Sequence, residues 1–200
     1  LKAQRGMQRR ARKRSNVMTV SLVGYTNAGQ SSIFNRLTKA NIYAADQLFA
    51  TLDTTTHKIF IPDCGQVVIS DTVGFIKHLP HALVEAFGAT LEEAVQADLL
   101  LHIVDVAPFD EGVDTVAQAK AIVNELKKYD ENLYKKPRWL VLNKVDMLDE
   151  DARAAAVKNI LKKLRWKGEC FQISALTGDG CKELTHAVMR HLEEVGRPAA

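Results

Sequence analysis

The sequence predicts an α/β domain: a mostly parallel central sheet with helices on both faces. Three observations predict it. Apolar β-rich runs alternate with helical stretches along the chain, the pattern of parallel strands joined by crossovers. A glycine-bearing loop, "GYTNAGQSS" at 24–32, separates the first such run from the first such helix. Polar motifs then follow the strands, at the ends where open α/β sheets bind ligands.

The totals agree with one such domain. The chain has 200 residues, 46% hydrophobic and 26% charged, enough for a single well-packed core. No apolar run approaches a membrane span, and no secretory signal opens the chain. Cys64, Cys170 and Cys181 are odd in number and lack C-x-x-C spacing. They read as free thiols, which makes a cytoplasmic location the expectation. The chain begins at Leu1 and runs straight into charged sequence, so a fragment of a longer protein is expected. The formal charge of +3 hides an asymmetry: residues 1–14 carry seven cations and no acid, so the other 186 sum to −4. Residues 1–15 read as a basic linker helix left from a preceding domain, and 16–196 as the main domain. A basic arm can also meet nucleic-acid phosphates, although no aromatic is interleaved for stacking on bases.

Taken in order, "VMTVSLVG" (17–24) is the first strand, and "SSIFNRLTKA" (31–40) is the helix after the loop. "HKIFI" and "QVVIS" flank "PDCG" and read as a hairpin turning near Asp63 and Gly65. Further strands are expected in 99–106, 138–146 and 170–174, and helices near 82–97, 113–129, 150–166 and 180–195. Residues 41–56 show neither period, and a connection that long is usually functional or mobile.

The loop at 24–32 matches a phosphate-binding spacing, G-x-x-x-x-G-K-S/T, except that Gln30 replaces the lysine. Gly24 and Gly29 let the chain curl so that the N–H groups of the loop, from Tyr25, Thr26, Asn27 and Ala28 onward, surround a phosphate. The next helix adds the positive end of its dipole. Ser31 is placed to ligate Mg²⁺, and Ser32 keeps a hydroxyl near the α-phosphate. "DTVG" puts Asp71, Thr72, Val73 and Gly74 at the end of the third strand: Asp71 to hold magnesium through water, the Gly74 N–H to sense a γ-phosphate. "NKVD" supplies Asn143, Lys144 and Asp146. Asp146 can accept from the ring N–H and amino group of guanine, whereas adenine leaves the carboxylate unpaired. In "SAL" (Ser174, Ala175, Leu176) the Ala175 N–H is expected to meet the guanine oxygen. These four motifs in this order predict a P-loop NTPase of the small-GTPase type, binding GTP and GDP. The histidines form no metal set: "HLPH" lacks acidic or thiol partners, and His102 reads as a satisfied core residue.

"VSLVGYTNAG", "YAADQLFATLD" and "DTVGFIKHLPHALVEAF" resemble the HflX family, ribosome-associated GTPases of the Obg–HflX group, over roughly residues 5–195. The resemblance implies that Phe49, Ala50, Thr51, Leu52 and Asp53 belong to a first switch, with Thr51 joining Ser31 on magnesium when GTP is bound. It implies that Phe75 stands where some small GTPases carry a water-orienting glutamine, so hydrolysis is slow without help. Asn27 matches an asparagine that helps hold a potassium ion in related GTPases. The implied partner is the large ribosomal subunit.

The family pattern has lysine at Gln30, threonine at Ser32 and commonly proline at Thr54; only the first change is severe. Lysine places an ammonium among the β- and γ-phosphate oxygens and stabilises the transfer. With Thr51 and Gly74, position 30 is one of the expected catalytic positions. Losing a charge-assisted hydrogen bond costs about 1.5–3 kcal/mol, roughly ten- to 150-fold in binding. The expected protein is therefore a guanine-nucleotide domain that hydrolyses GTP weakly. The rival expectation is a partner-binding module without a nucleotide cycle, which Gln30 favours and the intact Asn143, Lys144 and Asp146 disfavour.

Overall fold

The computed structural model describes residues 17–38, 55–61, 65–71, 74, 88 and 91–196. Among them, six strands form one sheet in the order β2-β3-β1-β4-β5-β6. Strand β1 (Met18–Gly24) leads into helix α1 (Gln30–Thr38), and β2 (Thr55–Ile61) and β3 (Gly65–Asp71) form a hairpin. The chain continues through β4 (Leu99–Asp105), α2 (Thr115–Tyr129), the short α3 (Glu131–Tyr134) and β5 (Arg138–Asn143). A 3-10 turn (Val145–Met147), α4 (Glu150–Leu164), β6 (Cys170–Gln172) and α5 (Cys181–Gly196) complete it. β1 pairs parallel with β3 on one side and β4 on the other, and β4–β5 and β5–β6 are parallel too. Only the β2–β3 pair is antiparallel, with Ile61 opposite Gly65 at the hairpin end.

Alternation along the strands divides the core. Leu99, Leu101 and Ile103 of β4 pack with Ile33 and Phe34 of α1 and with Leu184, Val188 and Leu192 of α5. Leu100 faces the other way, onto Ile122 and Leu126 of α2. Val104, with Leu140 and Leu142 of β5, meets Val157 and Ile160 of α4. Period-2 side chains on strands buried on both faces produce these continuous apolar runs. The two neighbours of β1 receive crossovers in opposite directions, so a crevice opens beyond its carboxyl end. That crevice holds the glycine loop.

Helix ends are set locally. Asp114 and Asp149 accept from the N–H groups of Ala117 and Ala152 at the amino ends of α2 and α4, satisfying donors that a helix start leaves open. Arg165, at φ 51°, turns the chain out of α4.

The expected strands and hairpin are present, with their ends shifted by a few residues. His102 is in the core as expected, at 1% exposure, but among the described residues its Nε2 has no hydrogen-bond partner. Burial pushes its pKa down to about 3, with the Arg138 charge a second cause. The basic segment 1–15 and most of the aperiodic 41–56 stretch lie outside the described residues.

Candidate functional site

The glycine loop is closed by its own backbone. Asn27 and Gly29 take φ of 63° and 95°, and the Ala28 N–H returns to the Tyr25 carbonyl at 3.2 Å. At Gly29 no other residue fits, because a Cβ there would stand 2.2 Å from Asn143 Nδ2. α1 then starts at Gln30 with no acid in its own first turn, so no residue of the helix itself offsets the positive end of its dipole. Gly74 packs against the loop, where a Cβ would lie 3.0 Å from Thr26 Cα. The last residue of the "DTVG" motif therefore touches the loop it was expected to work with.

Two groups expected at a metal are already in contact. Ser31 Oγ donates to Asp71 Oδ2 at 2.7 Å, and Asp71 is fully buried at the end of β3. A hydroxyl beside a carboxylate is a hard oxygen pair of the kind magnesium selects. Gln30 occupies the cation position, 7% exposed. Its Nε2 donates to the Gly24 carbonyl at 3.1 Å.

On the other side of the loop, Asn143 joins three segments. Its Nδ2 donates to the Ala28 carbonyl and its Oδ1 accepts from the Ala175 N–H, both at 3.0 Å. Through these two bonds Asn143 ties the glycine loop to the "SAL" segment. The Ala175 N–H, expected to meet the guanine oxygen, donates here to Asn143 Oδ1. Lys144, in the left-handed region at φ 69°, donates from Nζ to the Asn27 carbonyl at 2.8 Å and to Asp105 Oδ2 at 2.7 Å. Ser174 is a corner residue, its Oγ accepting from the Thr177 N–H at 3.0 Å.

A cleft of about 590 Å³ opens between these loops, bordered by Gly29, Ser32, Arg36, Asn143, Asp146 and Leu176. It is of the size that takes a small organic ligand. Asp146 and Leu176 are exposed on it.

Two contributors were missed from sequence. Arg36 of α1 donates to the Ala175 carbonyl from Nε (3.1 Å) and Nη2 (2.9 Å), and from Nη2 to the Leu176 carbonyl. No local pattern marks it, since its partners lie about 140 residues away. Asp105 anchors Lys144; its position at the end of β4 was a usable signal, the same one that marked Asp71. Of the expected residues, Phe49, Ala50, Thr51, Leu52, Asp53, Thr72 and Val73 lie outside the described residues.

The arrangement, a curled amide loop on a helix start with a braced base-side cleft beyond it, coincides with a family match. Residues 19–144, well over half of the chain, match the 50S ribosome-binding GTPase family. The chain belongs to that family. As a ribosome-binding-GTPase domain it shares its fold with several solved structures. A variant of SsGBP is 25% identical, over 93% of this chain and 60% of that one, at a TM-score of 0.74. The complex of SsGBP with GDP is 26% identical, over 91% of this chain and 52% of that one, at 0.66. A variant of Era from Aquifex aeolicus bound to GDP·AlF4⁻ is 23% identical, over 92% and 58%, at 0.68. The GTPase domain here thus spans between half and three-fifths of the length of those chains. Among the described residues no helix is long and apolar enough to cross a membrane.

Proposed function

We propose that residues 16–196 are the GTPase domain of an HflX-like protein, preceded by a basic linker helix at 1–15. It binds GTP and GDP with Mg²⁺, and hydrolyses GTP to GDP and phosphate slowly because of Gln30. The observation that carries the nucleotide reading is Asn143, whose two bonds hold the phosphate loop and the "SAL" loop on either side of one cleft. In this reading the loop amides of 24–31 hold the phosphates. Ser31, Thr51 and Asp71 serve the metal, and Asp146 selects guanine by accepting from its ring N–H and amino group. Bound Mg²⁺ neutralises charge on the terminal phosphates; the Ser31–Asp71 pair supports its place. Asn27, exposed on the loop, contributes to a potassium site. The GDP complex of SsGBP supports the nucleotide, and Era solved with part of 16S ribosomal RNA supports a ribosomal partner. For this chain the partner is the large subunit, in a reducing cytoplasm suited to the free thiols of Cys170 and Cys181.

A second reading, a partner-binding module that holds nucleotide weakly, is favoured by one bond. The Gln30 amide is turned onto Gly24, where a cation would serve the phosphates. Titration with a fluorescent guanine nucleotide, with and without Mg²⁺ and with ATP as competitor, separates the two. Magnesium-dependent binding that ATP does not displace supports the GTPase. ATP competing as well as GDP overturns it. A higher GTP turnover in K⁺ than in Na⁺ supports the Asn27 assignment, and equal rates remove it.

A further inference from the structure

The end of the sheet remote from the cleft carries a second surface. α2 and α4 return the chain from the carboxyl ends of the strands to their amino ends, so both finish there, beside the starts of β5 and β6. Their last turns hold Lys127 and Lys128, and Lys162 and Lys163. Residues 125–138 and 158–169 together contain ten lysines and arginines against four carboxylates, in a chain whose residues after 14 sum to −4. Favourable placement at helix carboxyl ends accounts for those four lysines. The other six cations lie outside these turns.

Aromatic contacts join the segments. The Arg138 guanidinium lies 5.9 Å from the Tyr134 ring and 5.7 Å from the Trp166 ring, and Lys127 Nζ is 5.6 Å from the Tyr134 ring. α2, α3 and the chain after α4 therefore form one continuous face. Arg138 Nε and Nη1 have no hydrogen-bond partner among the described residues. Arg165 and Lys167 extend the face as exposed residues.

We propose that this basic end docks on the sugar–phosphate backbone of folded RNA, leaving the nucleotide cleft at the opposite end free. A cationic face on an otherwise acidic domain attracts a polyanion and fixes which side approaches it. Its lysines are phosphate contacts that position without reading sequence. The inference deepens the ribosomal reading above and rests on it.

The test is titration of a short RNA duplex by the full chain over a salt series. It compares the wild type with Lys162→Glu/Lys163→Glu/Lys167→Glu, and with a chain lacking residues 1–14. The triple variant is expected to bind at least about tenfold more weakly at low salt. The slope of log affinity against log salt should fall by roughly two to three, near one per lysine removed. Its affinity for a fluorescent guanine nucleotide should not change, which also reports that it is folded. Wild-type RNA binding that survives the triple change and is lost with residues 1–14 overturns this surface and leaves the ribosomal partner standing. Binding to anionic phospholipid vesicles, with none to RNA, overturns both. A wild type that binds neither RNA nor isolated large subunits also removes both.

Discussion

Gln30 Nε2 donates to the Gly24 carbonyl at 3.1 Å within the loop that Gly24 opens. An amide has two N–H donors and no charge; an ammonium has three donors and a full charge. A lysine could keep the Gly24 bond and still direct two charged donors at phosphate oxygens. Gln30→Lys is therefore expected to tighten guanine-nucleotide binding about ten- to 150-fold, the range of a charge-assisted hydrogen bond. GTP turnover should rise by at least the same factor. Fluorescent-nucleotide titration and phosphate release measure the two, and unchanged values would show that position 30 does not limit the site.

Asn143 is 2% exposed and bonds two loops at once. Truncation in Asn143→Ala leaves the Ala28 carbonyl and the Ala175 N–H without their partner. Each buried polar group so orphaned costs about 1–3 kcal/mol. A clear fall in thermal midpoint is expected, together with a loss of nucleotide affinity exceeding a hundredfold. Asn143→Asp, which keeps an acceptor for Ala175 but no donor for Ala28, should fall between. Thermal denaturation with and without GDP separates the stability loss from the binding loss, and a variant that binds GDP normally would remove Asn143 from the site.

The sheet was legible because its strands are buried on both faces: "LLLHIVD" and "RWLVLN" cannot remain in water, and their spacing leaves room only for crossover helices. The loop, Asp71 and Asn143 were legible because each ends a strand, and a polar motif at that place has few structural uses. Arg36 was not. Its partners are backbone carbonyls, which every residue possesses, so only the fold reveals the pairing. The bond that engages the Ala175 N–H was not legible either, for a related reason. The Asn143 Oδ1 accepts from Ala175 at another strand end, a pairing that no spacing in the sequence shows. His102 was placed correctly by the apolar run around it, but a run says nothing about whether an imidazole finds a partner.

Arg36 fixes the peptide planes of Ala175 and Leu176 through their carbonyls, and so the direction of the intervening N–H. If that amide region reads the exocyclic oxygen of guanine, Arg36→Ala should weaken GDP about tenfold. It should also narrow the preference for GDP over 2-aminopurine riboside diphosphate, which lacks the oxygen. The ratio of GDP to inosine diphosphate should hold, because both bases carry the oxygen and differ at the amino group that Asp146 is proposed to read. Arg36→Lys should recover part of the loss. Competition titrations with the three nucleotides measure this; loss of stability with all ratios intact would make Arg36 a structural clamp alone.

His102 sets an acid limit on the fold. Its pKa lies near 3 in the folded chain, from burial first and the Arg138 charge second, against an ordinary value near 6.5 when unfolded. Above pH 6.5 neither state binds the proton, and this residue gives no pH dependence. Below it the unfolded chain takes up a proton that the folded chain refuses, so stability falls with pH by about 1.4 kcal/mol per unit until roughly pH 3. His102→Leu keeps the apolar contacts and removes both the titration and the unpartnered Nε2. Between pH 6.5 and 4.5 the wild type should lose about 2–3 kcal/mol more than this variant. At neutral pH the variant should be the more stable by about 1–3 kcal/mol. Urea unfolding across that range tests both, and parallel pH profiles for the two proteins would show that His102 accepts its proton in the folded state.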